Sequence, residues 1–256
     1  MLRLNNIQLR FGSVPILQDI DLHLQAGEVV AVLGPNGAGK SSLLKVASGE
    51  LLPVDGDAQF NGDPLRSLPV QLKARHMAVL PQLSLLNFPF QVDEVVLLGR
   101  TPHDTGIEAD RRIVDEALRA VDAHYLRRQL YTQLSGGEKQ RVQMARVLTQ
   151  IWEAGGEGDR LLILDEPTSA LDYAHQRMVG DIMRRLADNG VAVLTALHDL
   201  NLAAGCADRI VLMRCGRIFA EGTPEEVMQE DLLREVFEVD FHRVTHPQTG
   251  KPWLLS

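Results

Sequence analysis

The sequence predicts an α/β protein: a core with a mostly parallel sheet, an antiparallel β region at its N-terminal end, and a helical subdomain inserted between core strands. Three observations carry this. The short apolar runs Val29–Leu33, Met77–Leu80, Leu161–Leu164 and Val191–Leu197 lack the alternation of a half-wet sheet, as strands covered on both faces do. Segments of helical period, Ser42–Ser48 and Ala174–Asp188, fall between such runs. From about residue 83 to residue 150 the pattern turns helical, with Ile113, Val114, Ala117, Leu118 and Val121 on one stripe and charged residues between them.

In chain order, Leu2–Arg10 and Leu17–Leu24 read as strands separated by a turn at Gly12-Ser13, the second with clear apolar alternation. Gly49 follows the helix Ser42–Ser48 as its C-terminal cap. Gly56-Asp57 and Asn61-Gly62 punctuate a short hairpin. Met77–Leu80 leads to Gln82, where the first core segment ends. Glu153–Asp159 is short, acidic and glycine-rich, the composition of an exposed loop. From Gly222 a tail begins with Thr223 as helix cap, Pro224 at the first helical position and Glu226 as box partner. The expected organisation is one domain, with residues 1–82 and 151–221 as core, about 83–150 as helical subdomain and 222–256 as a helical tail.

Composition narrows the classes of function. At 256 residues the chain can bury one large core beside a smaller subdomain. A net charge of −8 argues against a protein whose main task is wrapping nucleic-acid phosphates. Two cysteines, Cys206 and Cys215, lack metal spacing and fit a reducing compartment. No apolar run reaches the roughly 18 to 20 residues that cross a bilayer, and Met1–Asn6 has no secretory apolar core. Any work at a membrane would therefore be that of a peripheral subunit on the cytoplasmic face.

The chemistry starts at Gly34-Pro35-Asn36-Gly37-Ala38-Gly39-Lys40-Ser41, which fits G-x-x-x-x-G-K-[ST] between a strand and a helix. Such a loop turns backbone N–H groups toward a phosphate chain, and the helix behind it adds roughly half a positive charge. Lys40 would reach the β- and γ-phosphates and Ser41 a Mg²⁺ ion. Asp165 and Glu166 stand at the end of the strand Leu161–Leu164: one carboxylate to hold the metal, the other to take a proton from attacking water. Both features belong at the carboxyl ends of sheet strands, where open α/β sheets bind ligands. Ser135 and Glu138 make a capping box for the helix through Arg141, Met144, Ala145 and Leu148. The box leaves Gly136-Gly137 unexplained, since each glycine weakens a helix by about 1 kcal/mol relative to alanine. Bare backbone at that helix start suits a second docking anion.

The phosphate loop, Gln82, Leu134-Ser135-Gly136-Gly137-Glu138, Asp165-Glu166, Ser169-Ala170-Leu171-Asp172 and His198 occur in the order of the ATP-binding cassette ATPases, which the chain resembles from about Leu2 to Glu221. The resemblance implies ATP held by Gly34, Pro35, Asn36, Gly37, Ala38, Gly39, Lys40, Ser41 and Ser42, with Phe11 against the adenine ring in a place more often filled by tyrosine. It implies Mg²⁺ held through Ser41, Gln82 and Asp165, and hydrolysis served by Glu166, His198, Lys40 and Gln82. Two copies would sandwich two ATP molecules, Ser135, Gly136 and Gly137 of one facing the γ-phosphate on the other, with Asp172 on the loop that couples the sites. Leu85, Leu86, Phe88, Pro89 and Phe90 would receive a helix of an integral membrane permease dimer, and a periplasmic binding protein would act indirectly.

Cargo is written more loosely. Leu197–Ala204 is similar to ATPases of iron-chelate, haem and vitamin B12 importers, and Phe88-Pro89-Phe90, Glu94-Val95-Val96 and Gly99-Arg100-Thr101-Pro102 are most like the haem branch. Haem leads, then ferric siderophore, then vitamin B12. Cassette ATPases acting on DNA or ribosomes are the alternative class, and this chain lacks their long insertions. A non-hydrolysing regulator would not need Asp165, Glu166 and His198 together, and a small-molecule kinase would leave Leu134–Glu138 unexplained. His242 and His246 are four apart, but Pro247 and Gly250 mark an irregular segment, against a metal or haem ligand pair.

Overall fold

The computed structural model describes residues 1–82, 86, 88–153, 158–247 and 249–255. Strands β1 (Leu2–Phe11) and β2 (Val14–Leu24) form an antiparallel pair, and β3 (Val29–Leu33) follows with every residue buried. Helix α1 (Lys40–Ala47) ends with Gly49 just beyond it at φ +70°, the left-handed stop expected of a glycine there. Strands β4 (Asp55–Phe60) and β5 (Asp63–Pro64) turn through Asn61-Gly62 and complete a four-stranded antiparallel sheet in the order β2-β1-β4-β5. Gly56-Asp57 does not punctuate this hairpin as expected; both residues lie inside β4. The glycine answers a kink in the facing strand, because a Cβ built on Gly56 would stand 2.4 Å from the Asn6 carbonyl oxygen.

Helix α2 (Val70–His76) and strand β6 (Met77–Leu80) come next, and then the helices α3 (Val92–Leu97), α4 (Ile107–Ala120) and α5 (Gly136–Gln150). The chain returns to the sheet with β7 (Arg160–Asp165), α6 (Tyr173–Asp188), β8 (Val191–Ala196), α7 (Leu200–Cys206), β9 (Arg209–Arg214) and β10 (Arg217–Gly222). The main sheet runs β10-β9-β3-β8-β7-β6, all parallel except the edge strand β10.

Alternate residues of each central strand feed two separate cores. Val29, Ala31 and Leu33 join Leu162 and Leu164 in one, packed with residues of α3 to α6; Val30 and Val32 join Leu161 and Ile163 in the other, packed with α1 and the antiparallel sheet. Burial on both faces is the physical reason these strands read as unbroken apolar runs. Each fully buried Val, Leu or Ile contributes about 1.5–3 kcal/mol, which fixes the sheet as the rigid part of the molecule.

The tail departs from the expected helical reading. Helices α8 (Pro224–Val227), with the Thr223–Glu226 capping box in place, and α9 (Glu230–Phe237) are followed by an antiparallel hairpin of β11 (His242–Thr245) and β12 (Pro252–Leu255). Two strands of four residues are too short for a period to declare itself, and Pro247 and Gly250 fall in the turn between them. Of the expected acidic loop Glu153–Asp159, residues 154–157 lie outside the described residues, as does Leu85 of the apolar cluster.

Candidate active site

Register, more than any local sequence feature, assembles the site. In the main sheet Val32 pairs with Ala196, Asp165 with Ala196, and Leu80 with Leu164, so β3, β8, β7 and β6 end at one level. Four segments therefore meet at one edge: Gly34–Ser41 after β3, Asp165-Glu166 at the end of β7, His198 after β8 and Gln82 after β6. This is the carboxyl edge at which parallel sheets take up ligands.

The loop after β3 is shaped by the strand beside it. Gly34, at φ +153°, runs so close to β9 that a Cβ would come within 2.3 Å of the Met213 carbonyl oxygen, so any side chain would push the loop away from the sheet. Lys40, the first residue of α1, is buried and donates from Nζ to the carbonyls of Gly34 at 2.8 Å and Pro35 at 3.1 Å. Burial lowers its pKa, while the Glu166 and Asp165 carboxylates pull it back up. The next residue, Ser41, donates from Oγ to Asp165 Oδ1 at 3.1 Å. Burial raises the Asp165 carboxyl; the Ser41 bond opposes that, and the Glu166 charge reinforces it.

Glu166 is held from both sides. Its Oε2 accepts from Gln82 Nε2 at 2.8 Å, and its Oε1 lies 2.5 Å from His198 Nε2. Its backbone sits at φ +52°, in the left-handed region, fixed by an N–H bond of 3.1 Å to the Ala196 carbonyl. A carboxylate residue kept in that conformation by a core strand is the kind of local strain that collects at working sites.

A magnesium nucleotide fits these residues. A serine hydroxyl and a single carboxylate, 3.1 Å apart, are hard oxygen donors of the kind Mg²⁺ takes, leaving its remaining positions to phosphate and water. A cleft of about 190 Å³ opens beside them, lined also by Lys45, Glu50 and Gln82. Phe11 is 54% exposed at the end of β1 and pairs with Val14; two residues further, the Ile16 carbonyl stands 3.1 Å from a Cβ built on Gly39. The tip of the hairpin thus carries an exposed aromatic ring of the kind suited to stacking, on strands that pass beside the phosphate loop.

Ser135, Gly136 and Gly137 are not gathered into this group. Ser135 caps α5: its Oγ and its backbone N–H both donate to Glu138 Oε2, at 2.7 and 2.9 Å. A Cβ on Gly137 would lie 2.9 Å from the Ala170 carbonyl oxygen, whereas one on Gly136 would meet nothing within 4 Å. The helix start is therefore seated on the segment after Glu166, with Gly136 turned outward. Asp172 caps α6 by accepting from the His175 N–H at 2.9 Å. The same His175 spans to Asp122, at 3.4 Å, a link between core and helical subdomain that no motif in the sequence announces. Phe88 and Phe90 are exposed with ring centroids 6.0 Å apart; Leu97 and Leu98 are exposed as well, and Leu86 packs inward against the core. His242 lies on β11, and the His246 ring stands 5.2 Å from that of Trp253. Among the described residues no helix is long and apolar enough to cross a membrane.

Fold and site together define an ATP-binding cassette, and the chain belongs to the ABC transporter family, whose model matches residues 17–169. Among its relatives, the hemin import ATP-binding protein HmuV of Pseudomonas putida is 50% identical over 256 residues, covering all of both chains. HmuV of Gloeobacter violaceus is 46% identical over 257 residues, covering 100% of this chain and 94% of its own. A solved metal-chelate type ABC transporter in an inward-facing conformation superposes with a TM-score of 0.80 at 25% identity, covering 99% of this chain and 96% of that one.

Proposed function

We propose that this chain is the ATP-hydrolysing subunit of an importer that takes haem across the bacterial inner membrane, two copies working beneath a separate permease on its cytoplasmic face. The observation that carries the hydrolytic part is Glu166, bonded by Gln82 on one oxygen and by His198 on the other, with the Ser41–Asp165 pair beside it. Haem as cargo rests on the relatives named as hemin import proteins, which match all of this chain. A ferric siderophore is the second reading, favoured by the likeness to a metal-chelate transporter.

Bound Mg²⁺ would supply charge neutralisation between the β- and γ-phosphates. Lys40 would exchange its two loop carbonyls for phosphate oxygens, at little cost because its ammonium is already desolvated. Ser41 and Asp165 would hold the metal. Glu166 would accept the proton of the attacking water, with Gln82 and His198 orienting that carboxylate and contacting water and γ-phosphate in turn. Ser135, Gly136 and Gly137 would complete the site on a second copy, the N–H groups of Gly136 and Gly137 pointing at its γ-phosphate. Phe88, Phe90, Leu97 and Leu98 offer apolar area of the sort that marks an interface, here for the permease.

The test joins the chain to its permease in liposomes. Hydrolysis should rise with a haem-loaded binding protein and not with one carrying vitamin B12 or a ferric siderophore. Glu166→Gln should bind ATP and pair in the analytical ultracentrifuge while turning over about 10²-fold more slowly or worse. Ser135→Arg should bind ATP and stay single. Stimulation by the siderophore form alone would move the cargo to the second reading, and a fully active Glu166→Gln would remove the mechanism.

A further inference from the structure

The C-terminal hairpin takes no part in the nucleotide chemistry, yet it is fastened to the helix that starts beside the site. Helix α7 is capped by Asp199, which accepts from the Leu202 N–H at 2.9 Å; the residue before that cap is His198. In the first turn, the Asn201 side chain meets Leu254 of β12 as a neighbouring strand would. Its Nδ2 donates to the Leu254 carbonyl at 3.0 Å, and its Oδ1 accepts from the Leu254 N–H at 2.7 Å. Near the other end, Lys251 Nζ donates to the Gly205 carbonyl at 2.7 Å, where a helix has free carbonyls and favours a cation. Between these two points Pro252 and Leu254 are buried, Leu254 in the same core as Leu197, Ala203 and Ala204. The hairpin is a strap across α7, tied at both ends.

Covering the apolar side of α7 would need only Leu254. A side-chain amide bonded to both polar groups of one backbone residue does more: it fixes the height and rotation of the helix's first turn, three residues after His198. We infer that Asn201 is a positioning residue for hydrolysis, through which the C-terminal strap holds His198 against Glu166. The inference rests on the reading of His198 and Glu166 proposed above.

The full chain is compared with Asn201→Ala, Asn201→Asp and Lys251→Met, each alone and in a His198→Ala background, for hydrolysis rate, ATP affinity by calorimetry, and melting temperature. Misplacing a reacting group by a fraction of an ångström from a distance lowers turnover steeply, so Asn201→Ala should lose about tenfold in kcat with ATP affinity held within about twofold. Aspartate keeps the acceptor for the Leu254 N–H but sets a carboxylate against its carbonyl, and should lose as much. Lys251→Met should lose less, in the same direction. In the His198→Ala background each loss should shrink below about twofold, because both changes then act on one group. Wild-type turnover in folded Asn201→Ala, equal losses in kcat and affinity, or an undiminished loss without His198 overturns the inference. Should Asn201→Ala fail to fold, the other two variants decide by the same ratio. A His198→Ala enzyme at full rate removes the underlying reading, whereas a slow one beside a full-rate Asn201→Ala removes this inference alone.

Discussion

Gly136→Ala separates a helix start built for a ligand from one that is merely glycine-rich. Within the chain the substitution is free: a methyl group on Gly136 meets nothing within 4 Å, and the residue occupies the first position of α5 behind an intact Ser135–Glu138 box. Replacing a helical glycine by alanine gains about 0.5–1 kcal/mol, partly by narrowing the unfolded ensemble. For a chain of this size that is a rise of about 1–4 °C in melting temperature. If a phosphate on a second copy must approach those N–H groups, the same methyl stands in its path, and hydrolysis should fall about tenfold or more. Gly137→Ala supplies the contrast, since its Cβ would be pressed to 2.9 Å from the Ala170 carbonyl and should destabilise the free chain by about 1–3 kcal/mol. Thermal melts without nucleotide and steady-state hydrolysis with ATP and Mg²⁺ read both effects. A stabilised Gly136→Ala protein with unchanged hydrolysis would refute the anion-docking account. A lowered melting temperature would show that the fold itself demands glycine there.

Two further outcomes concern stability. The Glu138 carboxyl is held below its ordinary value of 4.5 by the Ser135 hydroxyl and the Ser135 backbone N–H. A depressed folded-state pKa adds stability that is complete above the unfolded value and is lost as pH falls through the folded one. Glu138→Gln should therefore flatten the loss of stability on acidification below about pH 4.5, read by urea unfolding at several pH values; an unchanged slope would remove Glu138 from that role. Arg100, 3% exposed, donates to Asp110 at 2.8 Å, the Thr149 carbonyl at 2.7 Å and Thr105 at 2.9 Å. Arg100→Met leaves Asp110 without its ion partner and should cost about 3 kcal/mol in urea unfolding, and a cost below about 1 kcal/mol would contradict it.

The main sheet was legible because its strands are buried on both faces, so Val29–Leu33 and Leu161–Leu164 could be read as apolar runs without knowing their neighbours. The capping boxes at Ser135 and Thr223 were equally plain, since each depends on residues three apart. What stayed hidden depends on residues far apart in the chain. Gly56 reads as a turn residue; only the facing Asn6 carbonyl makes it a strand residue. Arg100 reads only as part of a stretch like the haem branch; its burial follows from partners on α4 and α5. The start of α3 is capped by Gln91 with Glu94, a box whose first residue is not among the usual capping types. The candidate site residues were legible one at a time, but the order of strands that brings Gln82 and His198 to opposite oxygens of Glu166 was not.

That arrangement bears on how wasteful the molecule is at rest. One neighbour of Glu166 belongs to the segment leading into the helical subdomain, the other to the turn that launches α7. On the proposed mechanism, displacing either alone would leave the acid half-dressed and misaimed, so proton abstraction would act as a coincidence detector, answering only while both flanks are in place. Fuel would be spared whenever either one has moved.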